Sequence, residues 1–326
     1  MRERPRRLRS NEYARKMIRE TRLSVNSLVL PLFIKYGEGV IEEISSLEGQ
    51  KRYSIDTVCK GVQEALNMGI NSFMLFGIPE HKDEIGSGAF AENGIVQQAI
   101  KILRKEFGKD IFIITDVCLC EYTSHGHCGI IRNGDVHNSS SLPIISKVAL
   151  SHAQAGCDMV APSDMMDGRV VSIRDTLDTN NFEDIPIMSY SAKYSSAFYG
   201  PFREAAGSTP SFGNRKTYQM DYHNSKEAVK EVSLDIREGA DIVMVKPALS
   251  YLDIIYKVSS EFNVPVAAYS VSGEYAMIKS AAKLGLADEY NMMCETAASI
   301  FRAGADTLIT YFAKELAYAI KKGDIG

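Results

Sequence analysis

The sequence predicts an α/β protein built as a (β/α)8 TIM barrel with an N-terminal extended or helical arm. Three observations carry that prediction. Eight short apolar runs, rich in β-branched or aromatic residues, are spread along the 326 residues, with helical periodicity between most of them. Four of the gaps end in the same glycine-to-strand junction: Gly69-Ile-Asn71, Gly156-Cys-Asp158, Gly239-Ala-Asp241 and Gly304-Ala-Asp306. No G-x-G-x-x-G follows the first run and no Walker glycine–lysine loop occurs, which weighs against a doubly wound open sheet.

Residues 1–27 precede the first run and are expected to form an arm, leaving 28–326 as one barrel domain. The runs follow in order: Leu28–Ile34, Ser72–Gly77, Ile111–Val117, Met159–Ser163, Ile185–Ala192, Ile242–Pro247, Val264–Ser270 and Thr307–Phe312. They are continuous rather than alternating, as strands buried on both faces of a parallel sheet must be. Helical periodicity is clearest over Asp56–Met68, Gly94–Phe107, Ser225–Glu238, Leu252–Phe262 and Glu289–Ala303. A glycine at a helix C-cap accepts positive φ without steric cost, which suits the repeated junction. Eight strand–helix alternations count to a closed barrel.

Composition excludes several classes. Hydrophobic residues make up 45% and charged residues 24%, ordinary for a folded protein with a large core. No apolar run reaches the roughly 18–20 residues that span a bilayer. Net charge is −4, with no electrostatic reason to expect nucleic acid as a partner. The first nine residues carry five arginines, read as a solvated or partner-contacting arm. Glu3, Glu12 and Glu20 interrupt that charge and no apolar segment follows, so a cytoplasmic, reducing location is expected.

Catalytic groups in such barrels stand at the C-terminal ends of strands. Asp116, Ser163, Lys193, Lys246, Ser272 and Tyr311 fall there. Two lysines ending apolar strands are unusual. Burial and a second ammonium nearby both disfavour the charged form, leaving a free amine able to attack a ketone. Snorkelling from two strand ends is the bland alternative.

Three of the six cysteines lie within eleven residues: Cys118, Cys120 and Cys128. Three thiolates can hold zinc and leave a fourth position open, whereas His125 or His127 as fourth ligand would close the site. Buried free thiols are the alternative. The third feature is Ser195–Asp221, long and rich in Gly, Ser and Pro, and expected to act as a lid. Tyr199 and Phe202 would exclude water, and Arg203 and Arg215 suit a carboxylate. A mobile surface loop would explain the same composition.

Together the triple cysteine, MSYSAKYSSAFYGPFREA and MVKPALSYLDII resemble the porphobilinogen synthase (5-aminolevulinate dehydratase) family. APSDMMDGRV (Ala161–Val170) and YSVSGEYAM (Tyr269–Met277) extend the resemblance, which runs from about Arg4 to the C-terminus. It implies a barrel whose N-terminal arm embraces a neighbouring subunit, typically in a homo-octamer. It also implies condensation of two 5-aminolevulinate molecules to porphobilinogen with loss of two waters. By the same resemblance, Lys246 would form the Schiff base at the P side, and Lys193 beside it would either hold the A-side molecule in the same way or only depress the pKa of Lys246. Cys118, Cys120 and Cys128 would bind catalytic Zn2+. Arg203, Arg215 and Gln219 would grip the A-side carboxylate, and Ser272 and Tyr311 the P-side one, with Asp116 and Ser163 near the P-side amino group. Glu231 matches the family's allosteric Mg2+ residue, with Asp164 and Arg169 as neighbours.

Two other readings compete. A Schiff-base aldolase on the same barrel explains Lys246 but leaves the cysteine cluster without a task. A structural zinc protein predicts four protein ligands and no perturbed lysine.

Overall fold

The computed structural model describes residues 2–326. Eight barrel strands run in chain order: β1 (Leu28–Lys35), β2 (Ser72–Ile78), β3 (Phe112–Val117), β4 (Met159–Pro162), β5 (Met188–Lys193), β6 (Ile242–Lys246), β7 (Val266–Ser270) and β8 (Thr307–Thr310). All neighbours pair in parallel, in the order β4-β3-β2-β1-β8-β7-β6-β5. A parallel bridge between Val160 and Ile187 joins β4 to the entrance of β5 and closes the ring. Every residue of β4, β5 and β7 is buried, which is why their sequences do not alternate.

Each of the eight predicted runs forms one of these strands, and the five predicted helices are present. The glycine junctions have a second component. Gly156 and Gly304 sit at φ of +103° and +112°, and the aspartate that follows reaches back to the neighbouring strand. Asp158 accepts from the Ile113 amide at 2.6 Å, Asp241 from Ile187 at 2.8 Å and Asp306 from Val266 at 2.8 Å. Each carboxylate thus satisfies an amide donor at the start of a neighbouring strand.

Four further helices, Asn138–Ala155, Arg169–Thr179, Ser272–Lys283 and Ala313–Lys322, also cover the barrel. A short antiparallel pair, Ile41–Glu43 with Lys51–Tyr53, extends the sheet beside β1. Before β1 lie a turn of 3-10 helix at Pro5–Arg9 and a helix at Glu12–Met17, neither with a buried residue. Among the described residues no helix is long and apolar enough to cross a membrane.

Candidate active site

The C-terminal ends of the strands converge on a cavity lined by Phe76, Asp116, Cys120, Glu121, Ser163, Lys193, Tyr199, Phe202, Arg203, Arg215 and Lys246. Barrel register brings the two lysines together. Lys193 ends β5, Lys246 ends β6, and the two are paired across the strands. Both are only 5% exposed. The Tyr190 ring lies under both ammonium groups, at 5.5 Å from Lys193 Nζ and 4.9 Å from Lys246 Nζ.

Lys246 is further boxed by Tyr269 at 4.1 Å, Phe202 at 5.2 Å and Tyr199 at 5.5 Å. Burial, reinforced by the Lys193 charge, pulls its pKa from 10.5 down to about 7. At about 1.4 kcal/mol per pH unit this is roughly 5 kcal/mol against the ammonium. Lys193 goes the other way. Burial again pulls it down, but the neighbouring cysteine cluster, the Cys128 thiolate foremost, acts against burial and raises it. Its ammonium donates to the Ser163 carbonyl. The two pKa values therefore part: near pH 7 a large share of Lys246 is free amine, while Lys193 stays an ammonium.

Ser163 Oγ donates to Asp116 at 3.2 Å. Burial and the charge of Glu121 push Asp116 up to about 7, and one of its carboxylate oxygens has no partner. Arg203 Nε and Arg215 Nε are likewise buried without partners. Buried guanidinium donors left open beside a cavity are an anchor for a carboxylate, since native interiors pair such groups.

The three cysteines sit on the loop after β3. Cys118 and Cys120 Sγ are 3.3 Å apart, and all three sulfurs lie within 4.8 Å of one another, fully buried from solvent or nearly so. Hydrogen bonds from the Cys118 and Cys120 thiols hold Cys128 well below the ordinary thiol range, against the effect of burial. One thiolate stabilised by two thiols, beside Arg215 and Lys193, is a donor set suited to a soft divalent cation. The histidines do not join it. His127 bonds Tyr218 Oη at 3.1 Å and the Phe212 carbonyl at 3.0 Å. His125 bonds the Glu84 carbonyl at 3.1 Å and receives the His127 amide at 3.1 Å. The protein therefore offers three thiol donors with no histidine closing the set.

Residues 195–221 are a structured cover rather than a loose loop. A 3-10 turn at Ala197–Tyr199 leads into a helix at Gly200–Ala205. Tyr199 Oη donates to the carbonyls of Tyr194 (2.7 Å) and Lys246 (3.2 Å), fastening the cover to the strand end that carries the lysine. Arg52 Nε donates to the Ala205 carbonyl at 2.8 Å from the other side.

Three expected substrate binders stand off the cavity wall. Ser272 and Tyr311 are buried beyond it. Ser272 Oγ accepts from the Phe202 amide at 2.9 Å, and the Tyr311 ring stacks on Phe33, which also packs against Phe202 at 5.9 Å. Ser272 thus holds the backbone of a cavity residue, and Tyr311 is one ring removed from it. Gln219 is 3% exposed, with both amide atoms unpartnered, and lines a neighbouring cleft. Glu231 is half-buried in another cleft with Asp167 and Glu227, and burial raises its pKa. Of its two expected neighbours, Arg169 is paired with Asp235 at 2.9 Å, and Asp164 accepts from the Met166 amide at 2.8 Å without lining that cleft.

Two cavity residues escaped the sequence reading. Phe76 ends in the cavity from β2. Glu121 is buried, with both carboxylate oxygens 3.2 Å from Cys120 Sγ, and groups with Asp116 and Cys118 as a second potential cation-binding set. Its position next to the second cysteine was the available signal.

The family model described as Delta-aminolevulinic acid dehydratase matches residues 2–319. A delta-aminolevulinic acid dehydratase of Methanothermus sociabilis is 54% identical over 313 residues, covering 96% of this chain and 97% of that one. One from Synechococcus elongatus is 54% identical over 318 residues, covering 96% and 97%. A Toxoplasma gondii delta-aminolevulinic acid dehydratase (porphobilinogen synthase), solved with its reaction product porphobilinogen, superposes with a TM-score of 0.95 at 43% identity. It covers 98% of this chain and 91% of that one.

Proposed function

The chain belongs to the delta-aminolevulinic acid dehydratase family, and from that premise we propose that it condenses two molecules of 5-aminolevulinate to porphobilinogen, losing two waters. The observation that carries the mechanism is the pair of buried lysines on adjacent strand ends, where burial and the Lys193 charge lower the pKa of Lys246. The Lys246 amine attacks the ketone of one substrate molecule; one C=N bond forms and the carbonyl oxygen leaves as water. Lys193, held charged, disfavours protonation of the neighbouring amine and offers a proton donor to the departing oxygen. Asp116, poised near neutrality, and Ser163 hold the substrate amino group. Ser272 and Tyr311 would take its carboxylate.

For the second molecule, Arg203 and Arg215 supply open donors to the carboxylate, with Gln219 completing the grip. Cys118, Cys120 and Cys128 fit Zn2+, which would supply Lewis acidity at that substrate when bound. Tyr199 and Phe202 exclude water while the iminium exists. Glu231, with Arg169 nearby and Asp164 beyond it, is the proposed allosteric Mg2+ position. Residues 1–27 are the proposed arm on a partner subunit, in a homo-octamer located in the cytoplasm. Exposed Tyr13 and Met17 on that segment support such packing.

Incubation with 5-aminolevulinate should yield a pyrrole, and borohydride should fix one substrate skeleton on the peptide carrying Lys246. A folded, zinc-loaded sample giving neither would overturn the reading.

A further inference from the structure

The segment His125-Gly-His127 is not used by the proposed chemistry, yet it is built into the interface between the cysteine loop and the cover. The Ser211 amide donates to the His125 carbonyl at 3.0 Å. Arg215 Nη2 bridges the Gly126 carbonyl at 2.9 Å and the Ser208 carbonyl at 2.6 Å. Gly126 is crossed so closely that a Cβ there would stand 2.4 Å from the Thr209 carbonyl oxygen. His127 is 2% exposed and packs its ring 4.6 Å from that of Phe212.

The partners of His127 engage both ring nitrogens. The Phe212 carbonyl only accepts, so Nε2 carries a proton and donates to it at 3.0 Å. Nδ1 is hydrogen-bonded to Tyr218 Oη at 3.1 Å. The Cys128 amide is in turn 3.5 Å from Tyr218 Oη, at the edge of hydrogen-bonding range. One imidazole thereby joins two points of the cover, Phe212 and Tyr218, to the backbone beside a cysteine. Neither nitrogen is left for a metal.

We infer that His127 is a positioning residue that couples occupancy of the cysteine site to closure of residues 208–220. The inference rests on the reading of the three cysteines as a metal site, but not on the reaction. A cation that fixes Cys128 fixes the adjacent imidazole, and the imidazole holds the cover. The linkage is reciprocal: a closed cover must tighten cation binding by the same factor.

Hydrogen exchange of the full chain tests this, with Zn2+ as the probe. Adding Zn2+ to metal-free protein should slow amide exchange across 208–220 by about tenfold or more, the scale of one or two buried hydrogen bonds. His127→Ala should still bind one Zn2+ per chain, but its cover should exchange at the metal-free rate with or without the ion. Tyr218→Phe, which deletes one hydroxyl, should lose a smaller part of the zinc-induced protection and carries the test if His127→Ala fails to fold. Wild-type-like protection of the cover in both zinc-loaded variants would overturn the coupling. So would loss of Zn2+ from His127→Ala, which would make the imidazole a ligand. Absence of pyrrole product would sink the catalytic proposal and leave this result standing.

Discussion

The lysine pair and the cysteine trio face one cavity but are mounted in different ways. Lys193 and Lys246 are terminal residues of paired, buried strands, so their approach is set by barrel register. The cysteines sit on an irregular loop whose closing residue, Cys128, is held through Tyr218 and His127 by a segment about 90 residues away. A pair of side chains on strand ends is precise without help. A donor set on a loop depends on what packs over it, and can be opened without disturbing the barrel.

Removing one side and asking whether the other survives breaks the comparison most severely. Lys246→Met should cost on the order of 10^6 in kcat, the scale of losing a nucleophile. Borohydride trapping should vanish while metal content, measured by elemental analysis, stays at wild-type level. Concurrent loss of metal would show that the two regions are not independently built. The converse variant, Cys120→Ala, should weaken Zn2+ binding by more than about a hundredfold, a loss that even outer-shell partners can cause. The Lys246 adduct should still form in it.

Arg203→Gln tests the carboxylate anchor between the two regions. A charge-assisted hydrogen bond contributes about 1.5–3 kcal/mol, so KM should rise by roughly tenfold to a hundredfold with the trapping rate at saturation little changed. An unchanged KM would remove Arg203 from the substrate grip.

The smallest effect sharpens the lysine side itself. With Lys246 near 7, the amine is protonated below that pH and free above it, so the initial trapping rate should climb between pH 6 and 8. Lys193→Met removes the positive neighbour that penalises the ammonium, so the midpoint should move to higher pH. A wild-type midpoint near the ordinary lysine value would mean that burial and Lys193 do not tune Lys246.

The same contrast in mounting governs what could be read in advance. Strands buried on both faces are continuous apolar runs, and Lys246 and Lys193 stand out because each ends one. The helix Asn138–Ala155 was not legible as an amphipathic stripe. It is rich in serine, includes Pro143, and meets the helix Arg169–Thr179 through a Ser146–Ser172 hydroxyl contact of 2.8 Å. The Ile41–Glu43 and Lys51–Tyr53 pair has three-residue strands, too short for any period to show. Within the site, Glu121 was one acid among 41 acidic residues, and only the folded loop turns it toward Cys120. The pairing of Arg169 with Asp235 and the docking of His127 on Phe212 and Tyr218 join residues 66 to 91 apart in sequence. No local pattern encodes such pairs.

The central claim is that a lysine centre on strands and a metal centre on a loop act together on 5-aminolevulinate. Its most direct test is pyrrole formation measured on the untreated protein, after chelation, and after zinc is restored. The account predicts product that disappears with the chelator and returns with zinc, while the borohydride adduct on Lys246 persists throughout. Full pyrrole formation after verified removal of zinc would contradict it, whatever the adduct shows.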